Sequence, residues 1–465
     1  MIRDLLTLVS ANTLSQLLNF VVSPVISRLY SPESFGIFGI FMGYYNIISE
    51  ISTLRYHLSI PLNNDVKDSF YSFWVSVLNT TIIGVIGPII VAIMFISSNK
   101  SFYKSYFFIF MMAAIILKGI FQTYYYLYIK LRKFKIISLS KILLAIGVTS
   151  IQIMLFKLKW VGLISGILSG YFISVFYLQK KLEYTPIKFL KFKELKSKYV
   201  RFKNFALFDT WGALLNIIGI QIPVLTFQSI YGVESVGYYY FAQRIMLKPL
   251  GIIGSSIAEV MYPIYIQHKD KKDVIFTLIK KFHLSLVFLS ALPFIVFFHW
   301  APVLFKLIFG SQWYQAGVVS KYMSIWFFSV FVISPFSNII SAYEKQYFNL
   351  IFQILLAGTR IFIVLLIAPH ISFVQSVSLI SLGSMILWWF YFIVILFVIK
   401  ADFKDILNVF LLDILIISGF VVSFKTCVWF FDRDTWWLGL ILFLATIFFY
   451  LTVIKKYILR VLKNV

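Results

Sequence analysis

Charged side chains inside long apolar segments are the residues of this sequence that could carry chemistry. Arg244 and Lys248 lie one helical turn apart within the apolar run 237–262. Two cations at this spacing repel each other unless an anion or a carboxylate lies between them. Ionisable groups in a membrane helix cost about 2.5–3.5 kcal/mol each and normally face a bundle interior or a wet cavity. The pair therefore predicts a binding site for an anionic group.

Other apolar segments carry polar residues at steps of three and four, which places each set on one face of a helix. Serine and glycine members of these faces are also typical of close helix packing, but charged members are not. Of the six deepest charges five are basic, so we expect a net positive cavity. These charges are Glu50, Arg55, Lys118, Arg244, Lys248 and Arg360, and the polar faces add Asn19, Asn46, Asn216 and Gln122 as hydrogen-bonding groups.

The elements that position these residues must be membrane helices. The chain has 465 residues, of which 60% are hydrophobic and 13% charged, and its mean hydropathy is +0.90. Soluble chains average about 45–50% apolar and about 25% charged residues. We predict an all-α polytopic membrane protein with about 14 transmembrane helices, 12 at the least. The apolar runs are 8–28, 37–60, 71–97, 103–129, 136–156, 160–178, 205–229, 237–262, 282–299, 317–342, 347–368, 373–399, 408–430 and 436–454.

Lysine and arginine residues predict the orientation of these helices, because cytosolic loops are enriched in both. With the N-terminus in the cytosol, 27 of them fall on the cytosolic side and 7 on the outer side. We therefore expect both termini to be cytosolic. Most of the formal charge of +24 lies in these short loops, so it indicates topology and contact with anionic lipids and no nucleic-acid partner.

One motif occurs twice. LYSPESFG at 29–36 returns as IYGVESVG at 230–237, with a tyrosine, a glutamate, a serine and a glycine at matching positions. The longest hydrophilic stretch, 179–204, separates the copies. We predict a six-helix bundle at 1–178, a basic cytosolic linker at 179–204, a second six-helix bundle at 205–399, and two accessory helices with a basic tail at 400–465. Six intervening spans give the copies the same orientation, which indicates two bundles related by a pseudo-twofold axis along the membrane normal.

Motifs for catalysis or metal binding are absent from the sequence. The single cysteine, Cys427, excludes an intrachain disulfide, and the five histidines are scattered. We interpret His283, His299 and His370 as membrane-interface residues, and Asp413 as a group that caps or pairs near the cytosolic face. The sequence predicts no cofactor, no metal and no catalytic residue.

The stretches RLYSPESFGIFGIF, TLRYHLSIPL and GYYYFAQRIMLKPLGIIGSSIAEVMYPIY resemble the polysaccharide (O-antigen) flippases of the multidrug/oligosaccharidyl-lipid/polysaccharide exporter superfamily. The match covers the first, second, seventh and eighth spans. Arg55 falls on the family's Leu-Arg-Tyr and Arg244 on its Ala-Gln-Arg, whereas His57 replaces the usual acidic residue. The helical phase places Arg55 off the face of Glu50.

The resemblance implies alternating access that moves an undecaprenyl-pyrophosphate-linked oligosaccharide from the cytoplasmic to the outer leaflet of the bacterial plasma membrane. In this hypothesis the deep basic residues attract the substrate, and Glu50 and Asp209 are candidate ion-coupling sites. The expected partners are the lipid-linked oligosaccharide and membrane lipids, with a polysaccharide polymerase and a chain-length regulator as further candidates.

Three alternatives stay open. A peptidoglycan lipid-precursor flippase fits the same span count, and a multidrug/cation antiporter of the same superfamily predicts an anionic cavity instead. The alternative function among the enzymes is that of a membrane polysaccharide polymerase. Such enzymes usually present a sizeable outer loop, and the largest predicted one here spans residues 300–316.

Overall fold

The computed structural model describes residues 14–97, 105–183, 191–269 and 271–431, without the side chains of 97, 208, 248–260, 262, 263, 427, 430 and 431. Every regular element in this part of the chain is helical. The α-helices are α1 Ser23–Leu29, α2 Pro32–Ile51, α3 Val66–Ser97, α4 Ser105–Lys130, α5 Phe134–Met154, α6 Trp160–Lys180, α7 Phe192–Arg201, α8 Thr210–Tyr231, α9 Val233–Gln267, α10 Lys272–Phe309, α11 Tyr314–Ile333, α12 Asn338–Ala342, α13 Gln346–Phe362, α14 Phe373–Val398 and α15 Phe403–Phe431.

Ten helical segments within the described ranges are long and apolar enough to cross a membrane. Their exposed surfaces are rich in large apolar side chains, such as Ile96, Leu307 and Phe397, each at least 70% exposed. Exposed apolar surface on this scale fits contact with lipid. The chain is therefore an all-α, multi-pass membrane protein, as the sequence predicts.

Most predicted apolar runs coincide with a helix to within a few residues. The gap between the predicted runs 136–156 and 160–178 is present in the structure. The chain leaves α5 through a 3₁₀ turn, and Lys159 has a positive φ of 54°. The run 37–60 is wrong at its end, since α2 stops at Ile51 and tight turns follow. The run 436–454 lies outside the described residues, and 8–28 is described only from residue 14.

Two compact units divide the described part of the chain, with bounds as follows. The first comprises 1–248, 305–316 and 353–376, and within it α5 packs on α6, α3 on α4, and α2 on α8. The second comprises 249–304, 317–352 and 377–465. In its core Ala291 and Leu292 of α10 pack on Phe420 of α15.

The two copies of the repeated motif lie against each other in the first unit. A β-carbon on Gly36 of α2 would overlap the carbonyl oxygen of Val233, the first residue of α9. A β-carbon on Gly237 of α9 would overlap the carbonyl oxygen of Pro32, the first residue of α2. Both motifs thus use their glycine to let the start of the other helix approach. The reciprocity is that of a pseudo-twofold contact.

The tyrosines of the motif also have matching partners. The Tyr30 hydroxyl donates to the carbonyl of Gln152, near the end of α5, over 2.5 Å. The Tyr231 hydroxyl donates to the carbonyl of Ala368, which follows the π-helical turn Ile363–Ile367 after α13, also over 2.5 Å. These carbonyls lie in or at the end of the fifth and eleventh predicted spans, which the repeat makes equivalent. The tyrosine of each copy therefore joins its loop to the corresponding span through a hydrogen bond.

Candidate functional site

A cluster of three charged side chains lies where α2 ends. Arg55 donates from Nη2 to Oε1 of Glu50 over 2.6 Å and from Nη1 to Oδ2 of Asp209 over 3.3 Å. The Arg55 and Glu50 side chains are 24% and 30% exposed, and Asp209 is 48% exposed. One guanidinium thus joins the end of α2 to the residue that precedes α8.

Backbone geometry explains why Arg55 reaches Glu50. The α-helix stops at Ile51, and Leu54 and Arg55 have φ values of 46° and 58°, in the left-handed region. The chain therefore turns back on itself over this stretch. The expectation that Arg55 lies off the face of Glu50 was wrong, because it assumed that the helix continued to residue 60.

Lys118 of α4 extends the cluster. Its Nζ donates to the hydroxyl of Ser49 over 2.7 Å and lies 4.8 Å from the ring centre of Tyr45. It also interacts electrostatically with Glu50. The negative face of an aromatic ring attracts a lysine ammonium, and this attraction partly compensates the charge where few water molecules reach it.

The charges of this cluster balance. Glu50 and Asp209 supply two carboxylates, and Arg55 and Lys118 supply two cations. The positive character predicted for the site therefore depends on Arg244 and Lys248. The Arg244 guanidinium lies 6.0 Å from the ring centre of Phe38. It is half-buried, and the Lys248 side chain lies outside the described residues.

Arg360 of α13 has a different environment. It is 2% exposed, and its Nη1 donates to the carbonyl oxygen of Gly219 in α8 over 3.0 Å. In an α-helix that carbonyl would accept from residue 223, but Pro223 has no N–H. Gly219 also lets Ala357 of α13 approach closely. Arg360 therefore satisfies a carbonyl that the proline leaves without a helical partner.

Arg360→Met should destabilise the protein by about 1–2 kcal/mol, because a buried acceptor loses its donor while methionine fills much of the space. Pro223→Ala restores an N–H for the same carbonyl. In the double variant the loss should therefore be smaller, which a double-mutant cycle on thermal unfolding of the purified protein measures. Additive effects of the two substitutions would contradict this role for Arg360.

The remaining predicted binding residues are dispersed. The Asn19 side chain donates to the carbonyl of Ser15, one turn away on its own helix. Asn46 and Gln122 are half-buried, and Asn216 is exposed. Their proposed role in binding hydroxyl groups stays a prediction. Within the described ranges no group of three or more histidine, cysteine, aspartate or glutamate residues could hold a metal ion.

A buried ionisable pair in the second unit gives Asp413, which the sequence predicts to cap or pair, a partner that the sequence did not identify. Nε2 of His283 lies 3.0 Å from Oδ2 of Asp413, and the two side chains are 0% and 3% exposed. The interpretation of His283 as a membrane-interface residue was therefore wrong. The core formed by α10, α14 and α15 encloses its side chain. The useful signal was the occurrence of a histidine within the apolar run 282–299 and of a carboxylate within the run 408–430.

A model of the polysaccharide biosynthesis protein family matches residues 1–269, which is more than half of the chain. The chain belongs to this family. A search of curated proteins finds no match. The fold is similar to that of the lipid II flippase MurJ in an inward closed conformation, with a TM-score of 0.68, 13% identity, and 98% of this chain and 99% of that chain covered. It is also similar to an inward-facing multidrug resistance transporter of the MATE family in the MOP superfamily, with a TM-score of 0.58, 13% identity, and coverage of 83% and 94%.

Most of the site lies in the part of this polysaccharide biosynthesis protein that the family match covers. Residues 1–269 include both copies of the motif, the Glu50–Arg55–Asp209 cluster, Lys118 and Arg244. Arg360 and the His283–Asp413 pair lie beyond it. The fold is similar to that of MurJ and of the MATE transporter, and the family match agrees with the resemblance found in the sequence.

Proposed function

We propose that this protein is a flippase that moves an undecaprenyl-pyrophosphate-linked oligosaccharide from the cytoplasmic to the outer leaflet of the plasma membrane. The observation that carries the proposal is the polysaccharide biosynthesis family match, in a chain whose fold resembles a lipid II flippase over nearly its full length. The substrate is the repeat unit of a surface polysaccharide such as O-antigen or capsule, and the movement is by alternating access.

We assign to Arg244 the initial binding of the substrate's diphosphate. Unlike Arg55 and Arg360, which hydrogen-bond to carboxylates and to a carbonyl, Arg244 lies beside the aromatic ring of Phe38 and interacts electrostatically with Tyr240. An arginine can bind phosphate oxygens through two parallel hydrogen bonds. Lys248, one turn further along α9, would add a second cation on the same face.

The orientation is part of the proposal. The basic linker lies on the cytoplasmic side, as do both termini, and the two motif loops lie on the outer side. The tight crossing of α2 and α9 at Gly36 and Gly237 would then close the outer end of the first unit. Glu50, Arg55 and Asp209 would lie toward the cytoplasm, where a diphosphate first arrives.

One experiment separates the candidate functions. The purified protein is reconstituted in vesicles with a fluorescent polyprenyl-diphosphate oligosaccharide, and the label in the outer leaflet is measured together with the glycan length. Transfer without a covalent change supports a flippase, whereas growth of the glycan would show a polymerase. Faster transfer of lipid II than of polysaccharide precursors would favour the peptidoglycan alternative. Efflux of organic cations alone would favour the antiporter.

Arg244→Gln should lower the transfer rate at least about tenfold, because a charge-assisted hydrogen bond contributes about 1.5–3 kcal/mol and 1.4 kcal/mol is a factor of ten. Lys196→Gln is the matched control, since it removes one positive charge from an exposed position on α7. Equal transfer rates for both variants at equal protein levels would exclude Arg244 from substrate binding.

A further inference from the structure

The His283–Asp413 pair has a geometry that fixes where its protons are. Nδ1 of His283 lies 3.1 Å from the carbonyl oxygen of Val332. A carbonyl only accepts, so Nδ1 carries a hydrogen. Val332 belongs to the last turn of α11, where carbonyls lack α-helical partners. Nε2 faces Oδ2 of Asp413 at 3.0 Å, so one more proton must lie between these two atoms.

That second proton can be on either atom. If it is on Nε2, the pair is an imidazolium and a carboxylate; if it is on Oδ2, the pair is an imidazole and a carboxylic acid. Both arrangements have no net charge, which suits two side chains this deeply buried. Loss of the proton would leave the Nε2 lone pair facing a carboxylate oxygen, and the hydrogen bond between α10 and α15 would be lost.

A cavity reaches the pair. It has a volume of about 710 Å³, lies within the second unit, and is lined by α10, α11, α14 and α15, with Asp413 in its wall. Oδ1 of Asp413 has no hydrogen-bond partner among the described residues. Lys425, also in the wall, is twelve residues from Asp413 along α15, which is about 18 Å at the rise of an α-helix.

The other ionisable groups in this cavity are few. α10 contributes His299 and α15 contributes Lys425, both toward the end away from Asp413. The lining residues of α11 and α14 are uncharged, namely Ser324, Ile325, Phe328, Met385 and Trp389. Around His283 itself the described ring contacts are those with Phe336, Trp389 and Phe392. The pair is thus the only facing carboxylate–imidazole couple among the described lining and packing groups.

We propose that His283 and Asp413 form a proton-binding site that couples transport to the proton gradient. The inference rests on the proposed transport function and names its coupling ion. The site binds one proton between Nε2 and Oδ2, and the proton leaves to water through the cavity. Binding adds a hydrogen bond between α15 and α10, and release removes it, so protonation and helix position are linked.

Nitrogen-15 NMR of histidine-labelled, full-length protein in lipid nanodiscs tests the site itself. The chain has five histidines, and the signal missing from His283→Gln identifies His283. We expect an Nδ1–H form whose Nε2 shift responds to pH, because Nε2 shares its proton with Oδ2 of Asp413. In Asp413→Asn the amide donates to Nε2, so the helices stay linked and the titration disappears. An Nε2–H neutral tautomer, or no titration in the wild type, would overturn the proposal.

The coupling is tested separately in vesicles with an imposed pH gradient, using the fluorescent polyprenyl-diphosphate oligosaccharide. Coupling to one proton changes the steady-state leaflet ratio by up to about tenfold per pH unit, and Asp413→Asn should abolish this response. Asp402→Asn is the matched control, because it breaks the exposed ion pair between Lys272 of α10 and Asp402, the residue before α15. An undiminished response in Asp413→Asn refutes the coupling. Absence of any transfer by the wild type refutes the transport function, while the NMR result still decides on the proton site.

Discussion

Gly36→Ala is expected to destabilise the protein by about 3 kcal/mol, at the upper end of the usual cost of adding a methyl group to a packed contact. The added β-carbon would overlap the carbonyl oxygen of Val233. That oxygen belongs to the backbone at the start of α9, so it can move only if the whole helix moves. The measurement is thermal unfolding of the purified protein, together with transfer of the labelled lipid.

The reciprocal contact supplies an internal check. Gly237→Ala should give a similar loss, because its β-carbon overlaps the carbonyl oxygen of Pro32. The double variant should cost less than the sum, since one separation of α2 from α9 relieves both overlaps. Gly358→Ala is the matched control: nothing lies within 4 Å of its β-carbon, and alanine favours a helix over glycine. Equal stability of Gly36→Ala and Gly358→Ala would contradict the close approach.

The helices could be predicted from the sequence because their signal is local. A run of about 20 apolar residues is long enough to cross a membrane wherever it occurs in the chain. The repeated motif added a long-range relation, since matching positions in a duplication must have matching surroundings. Gly36 and Gly237 confirm this, although the sequence did not show that the copies touch each other.

The partners of the deep charges could not be predicted in the same way. Arg360 was grouped with the binding residues because it lies within an apolar run. In the structure it donates to the carbonyl oxygen of Gly219, 141 positions away, which Pro223 leaves without a helical donor. Arg55 was misplaced because helical phase holds only while the helix continues, and α2 ends four residues earlier. His283 and Asp413 are 130 positions apart, so only the packing of α10 on α15 unites them.

Arg55→Met is expected to destabilise the protein by about 2 kcal/mol and to lower lipid transfer more than about tenfold. Removing one partner of a fully buried ion pair lowers the stability of a protein by about 3–5 kcal/mol. Here Glu50 and Asp209 are 30% and 48% exposed, so water screens part of the loss. The site also changes from neutral to net negative, which repels an anionic diphosphate. Lys133→Met, which breaks the more exposed Lys133–Glu183 pair, should change stability by less than about 1 kcal/mol.

Adding Glu50→Gln to Arg55→Met distinguishes two roles for the acidic residues. If Glu50 serves chiefly as the partner of Arg55, the double variant should recover most of the lost stability and part of the transfer, because the uncompensated carboxylate is gone. If Glu50 instead binds the coupling ion, stability should recover while transfer stays lost, and Glu50→Gln alone should remove transfer too. Since Arg55 holds Glu50 at 2.6 Å, we expect the first outcome. It would remove Glu50 from the candidate ion-coupling sites and leave Asp209 and the His283–Asp413 pair.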